Sequence, residues 1–257
     1  MPAAAGAGAI AELIAIEELA GVAVVRIQRP PANALDPALL AAGAEAVATL
    51  RSRRPAAVVV TGSGQFFSGG VDLKLTPTLS EPEQREMVAG INRLFCDWYA
   101  IPHPVVAAIN GHAVAGGLIL ALCADHRVGS SGARYGLTEL RVGAPYPGAA
   151  LAVIRAELEP RAIRGLVLGA ELVGARDALR LGLVDEIAEP DEVLGEALAA
   201  ARRLAALPPA TYSTVKAQLR APALEAMRAA LEHDPLAQGW LTEEAGDAAA
   251  EVLRGDR

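Results

Sequence analysis

The chain is poor in positive charge, in aromatic rings and in cysteine. Of its 257 residues, 23 are Lys or Arg against 30 Asp or Glu, a formal net charge of −7. That balance argues against a general attraction to nucleic acid or to an anionic membrane. A phosphate-bearing ligand would have to be met locally, by a few cations or by backbone N–H groups. Aromatic residues make up 4% of the chain, with no basic patch interleaved among them, which also speaks against RNA binding. The two cysteines, Cys96 and Cys123, show no CxxC spacing. They are expected to be reduced, packed thiols of a cytoplasmic protein. The opening MPAAAGAGAIAEL lacks a basic segment ahead of an apolar one, so residues 1–12 are expected to be a disordered Ala/Gly tail and not an export signal.

Several motifs are missing too. GSGQFF lacks the third glycine of a dinucleotide fingerprint, and no GK[ST] follows it. GSSG at 129–132 has the wrong spacing for a nucleophile elbow. The histidines at 103, 112, 126 and 233 form no HExxH and have no acid partner at helical spacing, so no metal site is expected. VAAINGHAVAGGLILALCAD, residues 106–125, is uncharged up to Asp125 and long enough for a membrane span. It is broken by Asn110-Gly111 and diluted by Gly116-Gly117. Those breaks predict a buried strand, a turn and a helix.

What is present alternates between strand and helix. LIAIEEL and VAVVRIQR flank Ala20-Gly21 as a hairpin. Asp36 and Pro37 start a helix that runs to about Arg53. AAVVVTG at 56–62 reads as a buried parallel strand. Ser80 with Glu83 makes a capping box for a helix to about Tyr99, whose Met87, Ile91, Leu94 and Phe95 form an apolar face. From Pro147 onward the pattern is mostly helical, and Val215, Leu219, Leu224, Met227 and Leu231 recur at helical spacing. That order predicts an α/β fold with a helical C-terminal part.

Three loops follow three of the strands: FFSGGVDLK, INGHAVAGG and RYGLTELRVG. Strand ends of open α/β sheets are where ligands bind, and glycines let a backbone come close to one. On the residues alone, a tight turn and a close helix contact explain these glycines equally well.

Together with RPPANALD, CADHRV and GLVDEI, these segments resemble the crotonase (enoyl-CoA hydratase/isomerase) superfamily over nearly the whole chain. The resemblance implies a ββα-repeat core over 13–195, a helical trimerisation region over 196–257, and a homotrimer or dimer of trimers. It implies an acyl-CoA substrate and no cofactor, coenzyme A being part of the substrate. It makes the N–H groups of Val71 and Gly116 an oxyanion hole for the thioester oxygen. Pro31, Ala32, Gly69, Gly70, Asp72, Leu73 and Lys74 would line the pantetheine and adenine side, and Gly117 and Ile119 would also bind substrate. Lys74 and Arg29 are candidates for the phosphates, although ordinary surface cations would look the same. The Met87–Phe95 face would line the acyl tunnel, although a core helix needs such a face as well.

The chain departs from the family's hydratases at one position. Those enzymes carry two glutamates, and the site of the first is Ile119 here. The second is Glu139, for which a surface carboxylate or an ion pair with Arg141 would be the bland alternative. Hydration needs a base for water and a matched acid. Moving a 3,4 double bond to the 2,3 position needs one base that takes a proton from C2 and returns it at C4. The pattern therefore resembles the Δ3,Δ2-enoyl-CoA isomerase branch. Another crotonase hydratase, lyase or hydrolase activity is the alternative, followed by a non-catalytic acyl-CoA binder.

Overall fold

A computed structural model describes residues 13–241 and 243–255; the expected tail at 1–12 lies outside the described residues. Strands β1 (Ile14–Leu19) and β2 (Val22–Ile27) pair antiparallel. Ala20 and Gly21, at the turn, both take positive φ (52° and 78°). Positive φ at both central residues is what a two-residue hairpin needs to match strand twist. Helix α1 (Pro37–Arg53) starts as expected, with the Asp36 side chain accepting from the Leu39 N–H at 2.8 Å.

Three strand–strand–helix units follow. The first is β3 (Val58–Thr61), β4 (Phe66–Ser68) and α2 (Glu81–Tyr99). The second is β5 (Val105–Ile109), β6 (His112–Val114) and α3 (Gly116–Leu122). The third is β7 (His126–Ser130), β8 (Arg134–Gly136) and, after a 3-10 turn at Glu139–Val142, α4 (Gly148–Glu157). The leading strands join a six-stranded sheet in the order β1-β2-β3-β5-β7-β10, parallel from β2 onward, with β10 at Glu186–Ala188. The second strands join a smaller sheet, β4-β6-β8-β9, with β9 (Leu172–Gly174) antiparallel at its edge. This is the expected α/β, ββα-repeat architecture.

β3 and β5 are buried on both faces, which is why VVVT and VVAAI carry no alternation. On β2 successive side chains part company. Val25 and Ile27 join the main core, and Val22 and Val24 face the helix α7 (Val193–Ala205). α7 meets that face through Val193, Ala197, Ala200 and Ala201, small residues that allow close approach. The expected boundary at 195/196 thus falls inside a helix that belongs to the sheet.

The next helices are short: α5 (Pro160–Ile163), continued by a π turn at 164–168, and α6 (Ala175–Arg180). Long helix α8 (Pro209–Glu232) then packs on α4, and α9 (Glu243–Gly255) closes the described chain. The apolar set on α8 divides: Leu224 and Met227 are buried, whereas Val215, Leu219 and Leu231 are exposed. Partly buried Asp125 holds α8 in place through buried Lys216 Nζ at 2.6 Å and buried Arg220 Nη2 at 2.9 Å. No described helix is long and apolar enough to cross a membrane.

Candidate active site

Parallel pairing of β4 with β6 and of β6 with β8 stacks the segments that leave them. The Gly70-Val71, Ala115-Gly116 and Leu137–Glu139 segments therefore converge, one from each repeat. They border a cavity of about 1120 Å³.

Val71 forms a parallel bridge with Leu35. The bonds of that bridge run from the Leu35 N–H to the Gly70 oxygen (2.7 Å) and from the Asp72 N–H to the Leu35 oxygen (3.0 Å). In such a bridge the middle residue's own N–H points the other way. For Val71 that is away from Leu35, and no acceptor meets it among the described residues. Gly116 opens α3, where the first N–H groups lack an intrahelical acceptor. Before it, Ala115 sits at φ 52°, ψ −130°, a strained conformation that costs on the order of 1–3 kcal/mol. The Ala115 N–H donates to the Gly136 oxygen at 2.8 Å, tying this turn to the third repeat. α3 is only seven residues long, so what its end offers is an aimed N–H more than a helix-wide field.

Gly70 and Gly117 do not line the cavity; they let its wall close. Gly70 has φ 81°, and a Cβ there would lie 2.8 Å from the Ala115 Cβ and 3.0 Å from the Gly116 nitrogen. A Cβ on Gly117 would run into the Ser68 carbonyl.

Glu139 reaches the cavity from the third repeat. Its Oε2 is buried and has no hydrogen-bond partner among the described residues. Desolvation pushes its pKa up to about 7. The Tyr146 hydroxyl opposes that shift from nearby, yet no bond of acceptable geometry joins the two, and the Tyr146 oxygen is itself buried and unpartnered. Arg141 is exposed and forms no ion pair with Glu139 among the described residues. Ile119 lies in the cavity wall, 1% exposed.

Pro31, Ala32, Gly69, Asp72, Leu73 and Lys74 line the same cavity. Arg29 is engaged by two carboxylates, Asp36 at 2.7 Å and Asp72 at 3.0 Å, so a phosphate would have to compete with them. Lys74 is exposed and has no ion pair among the described residues. Of the four residues expected along an acyl tunnel, Ile91 and Phe95 reach the cavity; Met87 and Leu94 face the core. Among the described residues no group of three His, Cys, Asp or Glu stands ready for a metal.

Sequence reasoning missed three residues. Buried Asn33 fastens the 29–36 loop to β4, its Nδ2 donating to the Ser63 oxygen at 3.0 Å and the Phe66 oxygen at 2.8 Å. Tyr146 carried a faint signal, an aromatic set between Pro145 and Pro147 in an aromatic-poor chain. Trp240, 2% exposed, lines the cavity and donates its indole N–H to the Pro145 oxygen at 2.9 Å. Next to it the Leu241 N–H donates to Gln84 on α2 at 3.1 Å. α9 continues this covering, with Ala245 and Gly246 on the cavity.

Two N–H groups without a backbone acceptor and a carboxyl with a buried, unpartnered oxygen thus border one cavity, an arrangement that can stabilise an oxyanion while a proton moves. The enoyl-CoA hydratase/isomerase family model matches residues 17–245. A probable enoyl-CoA hydratase of Mycobacterium tuberculosis, EchA17, is 36% identical over 77% of this chain and 76% of its own. A crotonyl-CoA hydratase of Syntrophomonas wolfei is 35% identical over 75% of each chain. An apo enoyl-CoA isomerase structure from M. tuberculosis superposes with a TM-score of 0.80 at 33% identity, over 86% of this chain and 97% of the other. The chain belongs to the enoyl-CoA hydratase/isomerase family, a family of enzymes.

Proposed function

We propose that the protein is a Δ3,Δ2-enoyl-CoA isomerase acting in the cytoplasm with Glu139 as its base. The observation that carries this reading is the imbalance of the cavity wall. Among the described residues its carboxylates are Glu139 and Asp72, and Asp72 is held by Arg29. Ile119 stands where a hydratase would need its other glutamate.

The acyl-CoA enters with its pantetheine arm along Pro31, Ala32 and the 69–74 loop, Lys74 lying nearest the phosphates. The thioester oxygen accepts from the Val71 and Gly116 N–H groups. Glu139 takes the C2 proton, and the electron pair spreads into a dienolate whose charge rests largely on that oxygen. The same carboxyl, now protonated, returns the proton at C4, leaving the 2,3 double bond. One oxyanion donor typically contributes about 3–4 kcal/mol to lowering such a barrier. A pKa near 7 suits a group that must both accept and return a proton.

Offering trans-3-hexenoyl-CoA and crotonyl-CoA separately tests this, through the absorbance of the conjugated thioester. The isomerase gives a rise with the first and no change with the second. A fall with crotonyl-CoA would mean hydration. The names of the hydratase relatives favour that second reading.

We further propose that copies associate as trimers or pairs of trimers through the C-terminal region. Val215, Leu219 and Leu231 on α8 support this: Leu219 is 78% exposed, a large apolar side chain left to water unless another copy covers it. A monomeric mass by light scattering at micromolar concentration would refute it.

A further inference from the structure

We propose that Tyr146 is a positioning residue for Glu139, its hydroxyl donating to the carboxylate and fixing how that group faces the acyl chain. The inference rests on Glu139 being the base. Three buried side-chain polar atoms lack a partner among the described residues: Arg127 Nη1, Glu139 Oε2 and the Tyr146 hydroxyl oxygen. Two of the three belong to residues that line one cavity. A donor and an acceptor left open side by side are complementary, whereas each alone is an uncompensated desolvation. Phenylalanine would fill the same space without that cost.

The two residues differ in freedom. Tyr146 lies between two prolines, which restrict the backbone on both sides. The Pro145 carbonyl is held by the Trp240 indole, and Pro147 caps the start of α4. Glu139 sits on a single 3-10 turn with no side-chain bond of its own. The rigid phenol is thus the reference and the carboxylate the part that adjusts. Charged side chains are carried by the elements around it: Arg141 on its own turn, Arg164 on the π turn, and Asp247, Glu251 and Arg254 on α9. None forms an ion pair with Glu139 among the described residues. The favourable interaction of the ionised carboxylate with a side chain comes from Tyr146.

Wild type, Glu139→Gln, Tyr146→Phe and Tyr146→Leu are compared on trans-3-hexenoyl-CoA from pH 6 to 9.5, with binding of the unreactive hexanoyl-CoA measured alongside. Tyr146→Phe is expected to lose roughly tenfold in kcat even at pH 9, as befits a hydrogen bond to a charged group. Its acid limb moves to higher pH, since the ionised base has lost a donor, while hexanoyl-CoA binding stays within about twofold. Tyr146→Leu, which also lacks the ring, should match the Phe variant within about threefold. A Tyr146→Phe enzyme with unchanged kcat and acid limb, beside an inactive Glu139→Gln, overturns the positioning role and leaves the base standing. Loss in the Leu variant alone also overturns it, assigning the ring to packing. Turnover by Glu139→Gln, or a silent wild type, refutes the base or isomerase reading itself and this inference with it.

Discussion

Replacing Glu139 with glutamine should abolish turnover and make the protein more stable, and the gain should depend on pH. In the folded chain Glu139 titrates near 7, against 4.5 for a solvated glutamate. A carboxyl whose folded pKa is raised contributes stability that is fully present below about pH 4.5 and lost as pH rises through about 7. At 1.36 kcal/mol per pH unit, the gap corresponds to about 3 kcal/mol of destabilisation at pH 8.5. Glutamine has the shape of the protonated acid and cannot ionise. It should match wild type near pH 4, exceed it by about 1 kcal/mol at pH 5 and by about 3 kcal/mol at pH 8.5. For a chain of this size that is roughly 6–12 °C in midpoint. Thermal unfolding of both proteins without ligand, at several pH values between 5 and 8.5, reads the difference directly. Titrations elsewhere in the chain cancel between the two. A constant offset across the range, or a variant less stable at pH 8.5, would mean that Glu139 is solvated and is no poised base.

Other expectations concern the support of the site and its shape. Asp125→Asn leaves Lys216 and Arg220 buried without their counter-charge; it should cost about 3–5 kcal/mol, read by urea unfolding at pH 7. Gly117→Ala drives a methyl into the Ser68 carbonyl and should lower stability by about 1–3 kcal/mol while removing most turnover. A second carboxylate at Ile119→Glu should give hydration of crotonyl-CoA that wild type lacks, at the expense of a lower melting temperature. Trp240→Ala opens the wall beside Pro145 and Gln84, and should raise kcat/KM for ten-carbon relative to six-carbon enoyl-CoA substrates. An unchanged ratio would place the acyl end elsewhere in the cavity.

The local features of this chain were legible because local chemistry enforces them. Ala20-Gly21 can make only a tight reversal, Asp36-Pro37 starts a helix whatever lies beyond, and VVVT is too apolar to be exposed on either face. The three loops could be found for the same reason, each sitting between a strand and a helix. Their convergence is a matter of stacking. Nothing in FFSGGVDLK says that its Val71 will face a Gly116 some forty-five residues on; the parallel register of β4 on β6 decides it. Arg29 shows the limit from the other side. The family resemblance makes it a candidate for a phosphate, and only the fold reveals that Asp36 and Asp72 hold it already. Tyr146 left only a faint trace in the sequence and Trp240 none, because what each contributes depends on groups the fold brings to it, and each would read as ordinary core in any other frame. The chemistry of this site is therefore divided between two kinds of information. The repeats bring three equivalent turns together and carry the proposed donors and the proposed base. Residues outside the repeat pattern, on the 145–147 segment and the C-terminal cover, complete the cavity wall, and by the proposals above they set how the base is held and which chains can reach it.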